Sequence, residues 1–168
     1  MSDKRIENVI SEVLANDTQK CALDFTVYLR ANEMAIEREK GGYWDDKFYY
    51  AISYKGEFVC TILVGATEDS SEPWVVWSDS SRSNWYENPP LDECQKEIAW
   101  KHVDICGGGD ICGYCGNPGG IDKIIFGKVF SNVCLTVFRF DNPNAVAVEC
   151  LKQLMEIRKN DIDKSNTL

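Results

Sequence analysis

The residues whose types and spacing are best suited to chemistry are three cysteines in one short segment: Cys106, Cys112 and Cys115, with Gly following each of them. Cys112-Gly-Tyr-Cys115-Gly is a knuckle, a turn that aims two sulfurs at one point while glycine accepts the positive φ that exposes backbone N–H groups to them. Tetrahedral Zn²⁺ needs four nitrogen or sulfur ligands, and this segment supplies three. Two residues compete for the fourth place. His102, the only histidine, precedes Cys106 by four positions, which is one helical turn if the segment is helical. Cys134 lies downstream in an alternating apolar stretch. His102 also falls on a stripe with Leu91 and Ile98, where a buried, hydrogen-bonded histidine is the plainer explanation. The all-thiolate set Cys106, Cys112, Cys115 and Cys134 is therefore preferred, with His102 left open. Without a metal these would be ordinary buried thiols in a Gly-rich loop, and their crowding into ten residues is what argues otherwise. The role expected of the zinc is structural, since no catalytic residue is assigned.

Other chemistries fit less well. The Cys112/Cys115 spacing is also that of thiol-disulfide oxidoreductases, whose first cysteine sits at a helix N-terminus. Here Gly116-Asn-Pro-Gly-Gly120 cannot open a helix, and no βαβ unit precedes it. A thiol- or metal-dependent enzyme, an oxidoreductase using the same cysteines, is the alternative to a binding module. Gly107-Gly108-Gly109 lacks the Lys-Ser/Thr that a phosphate-cradling loop requires. With one histidine, no nucleophile nearby has the sequence context of a triad.

A second candidate site is aromatic. Tyr, Trp and acidic residues concentrate between Tyr43 and Tyr86, and Trp44, Tyr50, Trp74 and Trp77 are the candidate ligand-binding residues. Rings offer area and cation–π attraction, and the carboxylates of Asp45, Asp46, Glu72 and Asp79 offer charge, so the expected partner is a small aromatic or cationic molecule. For any one ring, a place in the core is the simpler alternative.

The elements that must position these groups follow from composition and periodicity. The chain has 168 residues, 44% of them apolar and 11% aromatic, enough for one domain with a real core and too apolar for disorder. Its formal net charge of −9 argues against nucleic acid or an anionic membrane as partner. The start of the chain runs into charged residues, and no apolar run approaches the roughly 20 residues that span a bilayer, so a cytoplasmic protein is expected. In a reducing compartment Cys21, Cys60, Cys94 and Cys150 serve as small core residues.

Apolar spacing predicts helices over 3–15 and about 18–31, with 1–32 forming an N-terminal helical segment. Period-two alternation then predicts strands near Met34 and Ile36, from Phe48 to Tyr54, from Phe58 to Val64 and from Pro73 to Trp77, with Lys55-Gly56 as a hairpin turn. Asn88-Pro89-Pro90 predicts the start of a third helix whose inward stripe is Leu91, Cys94, Ile98, His102 and Ile105. Residues 106–120 hold seven Gly, three Cys and one Pro, which excludes regular structure. A second hairpin is predicted from Ile121 to Phe126 and Val133 to Phe140. Asp141-Asn142-Pro143 predicts a final helix ending near Arg158 and Lys159. The expected fold is one α+β domain, a largely antiparallel sheet of about six strands with helices on one side.

From Trp44 to Ile162 the chain carries Tyr54-Lys-Gly-Glu-Phe-Val-Cys60, Trp77-Ser-Asp, Glu97-Ile-Ala-Trp100-Lys, Asp104-Ile-Cys106-Gly, Asn117-Pro-Gly-Gly, Ile125-Phe-Gly-Lys128, Asn132-Val-Cys134, Asp141-Asn-Pro and Glu156-Ile-Arg-Lys159. These elements resemble an uncharacterised family of clostridial and related anaerobe proteins, found alone or behind AraC-type DNA-binding domains, somewhat as GyrI-like ligand-binding domains are. The resemblance implies a small α+β sensory or binding domain from an anaerobic bacterium, and it favours Cys134 as the fourth ligand. DNA binding is not carried over, because this acidic chain has no helix-turn-helix of its own.

Overall fold

Strand alternation and two tight turns generate most of the architecture. The computed structural model describes residues 4–67, 70–78, 83–107 and 119–167. Helices α1 (Ile6–Val13) and α2 (Asn16–Ala31) come first, followed by β1 (Ala35–Arg38), a 3-10 turn (Gly42–Trp44), β2 (Tyr49–Tyr54), β3 (Glu57–Val64) and β4 (Trp74–Ser78). Then come α3 (Glu93–Lys101), β5 (Val103–Ile105), β6 (Ile121–Ile125), β7 (Lys128–Asp141) and α4 (Ala145–Ser165). All pairings are antiparallel, in the order β1-β2-β3-β4-β7-β5, with β6 also on β7. The fold is α+β, as expected.

The two hairpins share one turn chemistry. Lys55-Gly56 joins β2 to β3 and Phe126-Gly127 joins β6 to β7, each with both central residues at positive φ. That is the twist-matched two-residue turn, and it sets the register on either side. Alternate residues Tyr50, Ile52, Ile62, Val64, Trp74, Val76, Phe138 and Phe140 then face the helices. Phe25 and Leu29 of α2 and Leu151, Leu154 and Met155 of α4 cover them, and all of these are buried. The opposite face carries a smaller cluster of Tyr49, Leu63 and Val75. No helix among the described residues is long and apolar enough to cross a membrane.

Three expectations are corrected. The third helix starts at Glu93, where Asp92 caps it by accepting a 2.9 Å hydrogen bond from the Gln95 N–H, and it stops at Lys101. Asp92 offers the side-chain acceptor that Pro89 and Pro90 lack, so the cap falls after the prolines. The expected stripe therefore breaks: Cys94 is exposed and Ile105 belongs to a seventh strand, β5. The last helix is capped by Asn144, whose carboxamide oxygen accepts from the Ala147 N–H, and it runs to Ser165. Arg158 is not its solvated end. It is buried, with Nη1 2.9 Å from Asp161 and Nη2 donating to the Phe58 carbonyl, so a guanidinium ties α4 to the first hairpin.

Candidate functional site

The β5–β7 pairing positions the cysteine segment. Ile105 is in register with Val133, and one residue further the Cys106 N–H donates to the Asn132 carbonyl at 2.8 Å while Asn132 Nδ2 donates to the Cys106 carbonyl at 2.6 Å. Asn132 adopts a positive φ of 59°, a conformation asparagine tolerates better than most residues, and there β7 carries an irregularity against β6. The far end of the segment returns to the same point. Val133 is also in register with Ile121, and Gly120 lies so close that a Cβ built on it would stand 2.4 Å from the Asn132 carbonyl oxygen. Both arms of the cysteine segment thus close on Asn132 and Val133 of one strand.

That closure predicts a measurable cost. Gly120→Ala must push main chain against main chain, which no rotamer change relieves, so it should destabilise by about 1–3 kcal/mol in urea unfolding. A neutral result would mean that the arms do not meet in this way.

At this stem Cys106 is buried and Cys134 half-buried. Asp104, Cys106 and Cys134 each stand one residue from the Ile105–Val133 pair, on its alternating positions. Thr136 Oγ1 lies 2.8 Å from Asp104 Oδ2 and 3.5 Å from Cys134 Sγ. Burial pushes the Asp104 carboxyl up, against hydrogen bonds from Thr136 and Cys134 and the Arg139 charge. Cys112 and Cys115 lie outside the described residues. Among the described residues no three His, Cys, Asp or Glu side chains gather closely enough to hold a metal ion.

His102 is placed elsewhere. It is the C-cap of α3, followed by extended strand rather than another helical turn, so four steps of about 3.3 Å put its backbone about 13 Å from that of Cys106. The nearness expected from a helical turn is therefore lost. Its ring stacks on Phe140, with centroids 4.0 Å apart and planes 17° apart. Burial pushes the imidazole pKa down, opposed by a hydrogen bond with the Arg139 backbone and the Asp141 charge, while Lys101 adds to the shift. A base whose folded pKa lies below its unfolded one binds fewer protons when folded. Its contribution to stability is therefore present above the unfolded value, about 6.5, and lost as pH falls below it. Urea midpoints should drop between about pH 7 and pH 5.5, and His102→Gln should flatten that decline. An equal decline in the variant would assign the effect to other groups.

The four aromatic candidates divide between the two sheet faces. Trp74 and Tyr50 lie on the helix-covered side, where Trp74 packs 6.4 Å from Phe25 and the Tyr50 hydroxyl donates to the Lys4 carbonyl. Trp44 and Trp77 are on the other side and meet through Tyr49, which the candidate set omits. Tyr49 stands edge-on to Trp44 at 4.2 Å and parallel to Trp77 at 5.8 Å. Arg139 lies over the Trp77 ring at 5.2 Å and pairs with Asp141 at 2.8 Å. Across this face the register row Glu37, Ala51, Thr61, Trp77, Arg139 sets two small, partly exposed residues beside an aromatic wall.

Sequence reasoning also passed over Asn132, Gly120 and Thr136. Asn132 was signalled by an asparagine interrupting an otherwise β-prone run, and Gly120 by a glycine pair immediately before a strand. Nothing local signals Thr136, whose partner lies on another strand. Comparison with protein-family models, curated proteins and solved structures yields no match to this chain.

Proposed function

We propose that this protein is a small-molecule binding module whose cysteine segment, 106–120, is pinned by a structural zinc ion on Cys106, Cys112, Cys115 and Cys134. The observation that carries the reading is the closure of both arms of the segment on Asn132 and Val133, flanked by Cys106 and Cys134. Such a stem lets a metal replace the apolar core that a Gly-rich segment lacks, because ligand–metal bonds contribute to folding free energy. Three of the motifs that resemble the anaerobe family, Asp104-Ile-Cys106-Gly, Asn117-Pro-Gly-Gly and Asn132-Val-Cys134, supply this stem. A sensory role in a cytoplasmic setting accords with that resemblance.

The ligand face in this reading is the helix-free one, where Trp44, Tyr49 and Trp77 offer ring area beside Ala51 and Thr61. A flat apolar or cationic molecule suits it, since Arg139 shows the Trp77 ring already engaged with a cation. Elemental analysis of protein purified under metal-replete, reducing conditions tests the metal. About one equivalent of zinc is expected, and less than about a tenth of an equivalent would overturn the reading.

A further inference from the structure

At the opposite edge of the sheet from β5, the start of α1, the last turn of α2 and β1 enclose a cavity of about 700 Å³. Lys4, Arg5, Arg30, Arg38 and Lys40 line it, and Glu37 is the one acidic residue among the described lining. In a chain with 18 Lys and Arg against 27 Asp and Glu, five cations around one concavity reverse the local sign. Part of this charge is balanced. Arg30 forms an ion pair with Glu7, which holds the Glu7 carboxyl below its usual range, and Lys4 pairs with Glu12 at 2.7 Å. Counting both partners together with Glu37 still leaves two cations in excess.

Arg38 is held rather than floating. Its Nη2 donates to the carbonyls of Asp45 and Lys47 at 3.2 and 3.1 Å, and its guanidinium lies over the Phe48 ring at 5.1 Å. Its Nε is buried and has no hydrogen-bond partner among the described residues. A charged donor left in that state costs more than an ordinary unmade bond, and an anionic acceptor in the cavity would relieve it. Tyr50, bonded to the Lys4 carbonyl, and Ile36 give the cavity a wall that is not charged. The volume falls in the range of small-molecule sites and is far too small for a folded partner.

We infer that this cavity binds a small molecule bearing at least two oxyanion charges, either phosphoryl or carboxylate groups, with Arg38, Arg5 and Lys40 as the recognising cations. The site is separate from the cysteine segment and does not depend on a metal there.

Titration calorimetry of the full chain with pyrophosphate and with citrate, at about 0.15 M NaCl to suppress non-specific attraction, tests it. Saturable binding with Kd below about 1 mM is expected for at least one of them. Pyrophosphate alone would identify phosphoryl recognition, and citrate alone carboxylate recognition. Arg5 and Lys40 are both exposed, so the double variant R5Q/K40Q should fold with an unchanged urea midpoint while weakening binding roughly tenfold or more. Lys96→Gln on α3 should leave binding unchanged. Absence of saturable binding to either probe, or equal affinity in R5Q/K40Q and the parent, would overturn the inference.

Discussion

Cys134→Ser should reduce bound zinc from about one equivalent to below about a tenth and lower the melting temperature by about 10 °C. The size follows from what the metal replaces. Residues 106–120 carry seven glycines and little apolar surface, so ordering them costs backbone entropy that packing cannot offset. Four thiolate–zinc bonds can, and losing one ligand leaves an open, weaker site. A chelator should bring the parent protein down to the melting temperature of the variant and have no further effect on the variant. Cys94→Ser is the control, because Cys94 is exposed on α3 and far from the stem in the sheet order. If Cys134→Ser keeps both metal and melting temperature, Cys134 is not a ligand.

The second large effect separates the two sheet faces. Trp74→Ala should cost about 3–5 kcal/mol, since the ring is fully buried against Phe25 and its removal leaves a cavity lined by β3, β4 and α2. Trp74→Phe should recover most of that loss, because the buried indole N–H has no acceptor among the described residues and its removal relieves an unmade bond. Trp77→Ala, on the open face, should cost no more than about 2 kcal/mol, because that ring is only partly buried. It should nevertheless abolish any fluorescence response to aromatic cations. Urea unfolding and a cation titration on the same samples give both readouts. Equal stability losses for Trp74→Ala and Trp77→Ala would contradict the assignment of the faces, and an undiminished response in Trp77→Ala would remove Trp77 from the ligand site.

Much of the fold is legible locally. The 3.6-residue spacing of Ile6, Val9 and Ile10 and the period-two runs of β2, β3 and β4 appear where one buried face repeats, and Lys55-Gly56 announces its own turn. Helix ends were less legible. Asp92 and Asn144 each compete with nearby Asn or Asp as caps, and the winner depends on where the packed face begins. β5 was hidden because three residues after a helix extend its periodicity equally well. Only pairing with β7 makes them a strand.

The candidate sites show the same division. Residue type and spacing alone singled out Cys106, Cys112 and Cys115, because a CxxC knuckle is defined by neighbours in the chain. The basic cavity was invisible in the sequence, where Lys4, Arg5, Arg30, Arg38 and Lys40 are scattered among acidic residues that dominate the sum. So was the split of the aromatic residues between covered and open faces, since one residue of register moves a side chain from one to the other. The sequence by itself determined the local periods, the turns and the crowding of thiols, all properties of residues a few positions apart. Tertiary structure decided which of these groups meet: Cys106 with Asn132, Tyr49 with Trp77, Arg38 with the α1 terminus. Long-range strand register and helix packing bring them together, and no short window of sequence encodes either.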